Sequence, residues 1–143
     1  MSQFTIRRRN QIAKALESKP YRDAYVAQHI KRGVAFQLRA LREARGWSQS
    51  DLSSVSGKKQ SFISSLENPD TGGYTLNTLQ EMASAFDVAL IVRFAPFSQL
   101  VDYTSNITPD DLAPPCFADD PGLGECDIPE QPGTQPRVGV DEQ

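Results

Sequence analysis

Between Gly46 and Pro69 the chain has room for two short helices and one turn, and the local signals say where each begins and ends. Ser48 can cap a helix, and Asp51 three residues on completes a capping box, with Trp47 and Leu52 at the hydrophobic-staple positions. These signals predict a helix QSDLSSVS over 49–56, starting at Gln49. Gly57 supplies a turn, and QSFISSLEN (60–68) follows as a second short helix. Its Ile63 and Leu66 point inward, which leaves Ser61, Ser64, Ser65 and Asn68 on the outer face.

Longer periodic segments flank this pair. RRNQIAKALES (8–18) carries Ile12, Ala13 and Leu16 at helical spacing and is closed by Pro20. From Tyr21 the positions Val26, Ile30, Val34, Leu38 and Leu41 form one helical stripe, with Gly33 a weak point or a break, ending at Gly46. After a loop containing Asn68, Pro69, Asp70, Gly72 and Gly73, Thr75 caps LNTLQEMASAFD, with Leu76, Leu79, Ala83 and Phe86 on its buried face. VALIVRFA (88–95), rich in β-branched and aromatic residues and stopped by Pro96, reads as a strand.

The 143 residues amount to one domain's worth of chain. Hydrophobic residues make up 38%, below the roughly 45–50% of a typical domain, so part of the chain is expected not to pack. Charge is unevenly placed. Residues 1–45 carry eleven Lys/Arg against three acids (+8), 46–95 carry −2, and 96–143 set Arg137 against ten acids (−9). A basic body with an acidic end suits a polyanion partner, although Lys and Arg also coat ordinary solvated helices. Eight of the ten prolines lie from Pro96 onward. SQLVDYTSNI (98–107) is weakly amphipathic and fits a short helix; from Ala118 no apolar period remains, and that stretch reads as disordered.

Several functions lose support at once. No apolar run reaches the roughly 18 residues of a membrane span, and MSQFTIRRRN lacks the apolar stretch of a secretory signal, so a cytoplasmic protein is expected. Cys116 and Cys126 are too few for a zinc site by themselves, and no metal or cofactor is expected. His29 is the only histidine, and the serines have no histidine–acid partner nearby, so nucleophilic catalysis has no support and the chain does not read as an enzyme.

The segment LRALREARGWSQSDLSSVSGKKQSFISSLENPDTGGYTLNTLQEMASAFDV, residues 38–88, resembles the XRE/Cro-like helix-turn-helix regulators. Its pattern R-x-x-x-G-W-S-Q-x-x-L…G-x-x-Q-x-x-I-S-x-L-E-N agrees in caps, turn, core and groove positions. The resemblance implies double-stranded DNA as partner. Gln49 is then placed to hold a phosphate at a helix N-terminus, and Gln60 to open the recognition helix, where an amide suits adenine. Ser61, Ser64 and Ser65 face the groove, Phe62 borders it, and Asn68 with its loop matches a phosphate-contacting segment. Arg42 and Glu67 match a structural pair of the family, fixing helix against helix. Three positions depart from the pattern. Ser53 and Ser56 replace residues that are usually apolar, and Lys59 replaces a capping Ser or Thr, so Lys58 and Lys59 make better sense as phosphate contacts.

The expectation is therefore a mainly α protein. It has a five-helix lambda-repressor-like domain (31–97) with a strand at 88–95, a basic N-terminal helical extension (1–30), and an acidic, largely disordered tail (98–143). The expected function is sequence-specific DNA binding and transcriptional regulation by repression. The alternatives are a HigA-type antitoxin that represses its own operon and binds a toxin partner, or a protein-interaction module without DNA binding. A lone strand leaves its backbone open, so a homodimer pairing through 88–95 is expected, with a hairpin to MSQFTI in one monomer as the alternative.

Overall fold

The computed structural model of the protein describes residues 2–71 and 73–123. Seven α-helices occupy this part: α1 (Gln3–Ala15), α2 (Lys19–Ala44), α3 (Gln49–Ser56), α4 (Gln60–Leu66), α5 (Leu76–Phe86), α6 (Phe97–Asn106) and α7 (Pro109–Leu112). Two 3-10 turns, Phe117–Asp119 and Pro121–Leu123, follow. Residues 124–143, which include Cys126 and most of the stretch read as a disordered tail, lie outside the described residues.

The first helix starts earlier than its apolar spacing suggests, because Ser2 caps it by accepting from the Thr5 amide. Pro20 does not so much close α1 as open α2, where a proline in the first turn loses no helical hydrogen bond. The second helix then runs unbroken through Gly33 to Ala44, about 39 Å at 1.5 Å per residue. Its stripe splits by function. Leu38 and Leu41 enter the main core with Val34 against it, whereas Ile30 is half exposed.

That core is Leu38, Leu41, Leu52, Ile63, Leu66, Met82 and Phe86, with Trp47, Tyr74, Ala85 and Val88 packed against it. It is thus built by the end of α2 and by α3, α4 and α5. On α5 the buried positions are Met82 and Phe86, while Leu76, expected inside, is exposed because it sits in the first turn, at the rim of the core. The Trp47 and Phe86 rings stack at 5.6 Å, and the Arg45 guanidinium lies over both while donating to the Phe86 carbonyl.

The strand expected at 88–95 does not form. Among the described residues there is no β-strand; 88–95 takes no regular secondary structure and has no ladder partner. MSQFTI, the only candidate partner within the chain, is taken up largely by α1. Apart from the half-buried Val88, every residue of the segment is exposed, including Ile91 at 80% and Phe94 completely. β-propensity marks a segment suited to a pleated surface, but a strand exists only when a second backbone completes its hydrogen bonds.

The tail expected to be largely disordered is ordered as far as residue 123, and the short helix expected at 98–107 forms as α6. The sixth helix packs on α1, with an Arg9–Asp102 ion pair at 2.7 Å, and reaches α2 through a Tyr25–Thr104 hydroxyl bond at 2.7 Å. The His29 and Tyr103 rings meet edge to face at 5.8 Å. Thr108 and Asp111 form a capping box that starts α7, which packs on α2. The Phe117 amide then returns to the Asp87 carbonyl at 2.9 Å. Composition hid this. A proline-rich acidic stretch looks unable to fold, yet Val101 alone finds a buried place, and prolines 96 and 109 stand at helix starts, where they are tolerated.

Candidate nucleic-acid interface

Helices α3 and α4 meet through a three-residue link, Gly57–Lys58–Lys59. The third helix opens with a capping box: Ser48 accepts from the Asp51 amide at 3.0 Å and Asp51 accepts from the Ser48 amide at 2.8 Å. Hydrogen bonding to its carboxyl, first from the Ser48 backbone and then from the Ser48 side chain, holds Asp51 below the usual aspartate range. The helix ends at Gly57 with φ +71°, a left-handed conformation that costs a residue with a Cβ roughly 1–2 kcal/mol. Both departing serines work in this turn. Ser53 donates to the Lys58 carbonyl, and Ser56 accepts from the Lys58 amide at 3.3 Å. Polar residues at these positions therefore satisfy the turn's backbone, a role their apolar counterparts have no means to fill.

The fourth helix is anchored from below by Ile63 and Leu66 and at its end by a buried carboxylate. Glu67 accepts from Arg42 Nε at 2.6 Å and from Gln49 Nε2 at 2.7 Å, while Arg42 also donates to the Trp47 carbonyl at 2.8 Å. With side chains only 13% and 5% exposed, Arg42 and Glu67 lock α2 and α4 together. Gln49 joins this network at the N-terminus of α3. One N–H of its amide is used, and a second remains to donate.

Above that anchor, Gln60, Ser61 and Ser64 are exposed, Ser65 is half-buried, and Phe62 is 37% exposed on the same short helix. Lys59 stands at the N-cap with no side-chain capping bond and no ion pair among the described residues, its ammonium in solvent. Lys58 is held differently. Its ammonium pairs with Glu81 and lies 5.8 Å from the Phe62 ring centre, and Asn77 supports Glu81 at 3.0 Å. Sequence spacing offered one hint of that arrangement, the i, i+4 relation of Asn77 and Glu81 on α5, and no hint of its link to Lys58. Asn68 turns its side-chain oxygen to the Asp70 amide at 2.9 Å, folding the loop that leaves α4.

The weak candidates stay apart from this face. His29 lies far along α2 against Tyr103, its pKa lowered by burial, and Cys116 donates to Asp119 at 3.3 Å beside a 3-10 turn. No group of three or more metal-ligating residues occurs among the described residues, and no helix there is long and apolar enough to cross a membrane.

Comparison with known proteins agrees with this geometry. A helix-turn-helix family model matches residues 38–92, which run from the last turns of α2 through α5 into the segment that follows it. The Mycobacterium tuberculosis protein named Putative antitoxin HigA2 is 41% identical over 51 residues, 36% of this chain. The chain spans half the length of that relative. No solved structure matches. Residues 38–92 thus match a helix-turn-helix family in sequence, and within them α3, the Gly57–Lys59 turn and α4 have the arrangement of that motif.

Proposed function

We propose that the protein is a sequence-specific double-stranded DNA-binding repressor that works by occupying its operator. The observation that carries this reading is the outward face of α4: Gln60, Ser61 and Ser64 stand exposed on a helix whose inner face and end are fixed by the core and by Glu67. A rigid helix with short polar side chains fits a major groove, where Gln60 reads an adenine edge and the serines read permissively. Phe62, beside the groove, is placed for a thymine methyl. Lys59, Gln49 and the Asn68 loop set the register on phosphates. Lys58 joins them by exchanging Glu81 for a phosphate.

Two copies would bind together. Leu90, Ile91, Val92 and Phe94 are exposed on a backbone whose hydrogen-bonding groups have no ladder partner, and a second copy covers both at once. A two-fold pair sets the recognition helices about 34–36 Å apart, one DNA turn, for an inverted-repeat site. Selection of bound sequences from random duplexes tests the proposal; it should return an inverted repeat. Failure to enrich any sequence would refute the reading.

The likeness to an antitoxin of Mycobacterium tuberculosis supports a second role alongside the first, autorepression together with capture of a toxin partner. The basic N-terminal helices and the acidic end lie outside the matched segment and are the places for that contact. Co-purification with the product of a neighbouring gene tests it.

A further inference from the structure

The loop that leaves α4 is tied to a part of α2 that precedes the matched helix-turn-helix segment. The Tyr74 hydroxyl reaches the carbonyls of Ile30 at 2.6 Å and Lys31 at 3.1 Å. A groove of about 440 Å³ opens beside this tie, lined by Ala27, Ile30, Lys31, Thr71, Gly73 and Tyr74. Three of these residues bring donors with no partner among the described residues: the Lys31 ammonium, the Thr71 hydroxyl and the Gly73 amide. Asp70, the loop's one acid, makes no ion pair with Lys31. Gly73 has φ +104°, and nothing lies within 4 Å of where its Cβ would be, so its backbone is open to a close approach.

A compact cation, a hydroxyl and an open glycine amide around one groove are the donor set that an anionic oxygen takes. The groove joins two parts of the chain: Ala27, Ile30 and Lys31 come from the basic first third, where cations exceed acids by eight, and Thr71, Gly73 and Tyr74 from the loop that follows α4. We infer that Lys31, Thr71 and Gly73 form a phosphate seat that extends the DNA contact beyond the helix-turn-helix, onto backbone flanking the bases read by α4. This rests on the DNA-binding reading and adds three residues and one element, α2, to it. Lys31 lies seven residues before the matched segment, about 10 Å further along α2. The N-terminal half of α2 thereby gains a role in binding as well as packing.

The test is a salt titration of the full chain on a random-sequence duplex, where only backbone contacts count. One phosphate contact contributes about 0.9 to the slope of log K against log salt. Lys31→Gln keeps the aliphatic stem and removes the charge, and should lower the slope by about that amount. Lys31→Arg should restore it, and the thermal midpoint should be unchanged in both. A merely structural role for Lys31 would move the midpoint and leave the slope alone, and that result overturns the inference. An unchanged slope with the Gln variant also overturns it, while wild-type binding to the selected operator would keep the DNA-binding reading intact. Wild-type protein that binds no duplex at any salt removes both.

Discussion

Gln49 and Glu67 meet at 2.7 Å, an amide nitrogen against a buried carboxylate oxygen, and the other oxygen of that carboxylate takes Arg42 at 2.6 Å. One acid therefore sets the angle of α4 to α2 and the rotamer of the residue at the head of α3. Position and stability are linked through it. Glu67→Ala leaves Arg42 buried without its counter-charge and should cost about 3–5 kcal/mol in urea unfolding, since breaking one side of a buried pair strands the other charge. Gln49→Ala leaves the ion pair whole and should cost less than Glu67→Ala in the same assay, while still weakening DNA binding. A loss for Gln49→Ala as large as that for Glu67→Ala would contradict this division.

The turn between α3 and α4 predicts a backbone effect. Gly57→Ala forces a Cβ into φ +71° and should destabilise the fold by roughly 1–2 kcal/mol without a clash, because nothing lies within 4 Å of the new atom. Denaturant midpoints at unchanged m-value would confirm it.

A pH effect follows from His29. Burial lowers its pKa, so the folded state favours neutral imidazole and the unfolded state binds more protons below the ordinary histidine range. The stabilisation is present above that range and is lost as pH falls through it toward the folded value. Hydrogen exchange in α6, which packs through Tyr103 against His29, should therefore speed up as pH falls through the histidine range, after correction for the intrinsic rate. His29→Gln should abolish the dependence, and a variant that keeps it would show another group is responsible.

The exposed segment predicts an oligomeric state. Ile91→Pro removes an amide that has no ladder partner within the chain, so the monomer's fold should survive. Light scattering should show the wild type as a dimer and the variant as a monomer with weaker operator binding. A monomeric wild type at micromolar concentration, or a variant that remains dimeric, contradicts the proposed pairing.

What could be read from the chain alone follows the locality of the signal. Ser48, Asp51 and Gly57 act on neighbours within four residues, and their helix and turn are legible from those neighbours. The helix 60–66 shows equally well, because Ile63 and Leu66 mark its inner face. That 88–95 forms no strand was not legible, because Val88 to Ala95 reveal their propensity and not whether a second backbone is within reach. The helix at 98–107 showed in its weak amphipathic spacing, but the packing of 97–123 was hidden for a similar reason: Asp102 and Thr104 gain their partners from α1 and α2, some 80 to 90 residues away in the chain. At the candidate interface, residue types and their outward face were readable, but the pairing of Lys58 with Glu81 was not, since it joins the turn to α5, well beyond the reach of local spacing.

The central claim is that the exposed face of α4 reads bases. Binding of wild type and Gln60→Ala, on the selected operator and on random duplex at one salt concentration, tests it most directly. The wild type should prefer the operator by at least about 10³. Gln60→Ala should lose roughly 1–3 kcal/mol on the operator alone and relax one base position, while Lys59→Ala weakens both duplexes alike and flattens the salt slope. Equal losses for Gln60→Ala on operator and random DNA would contradict the account.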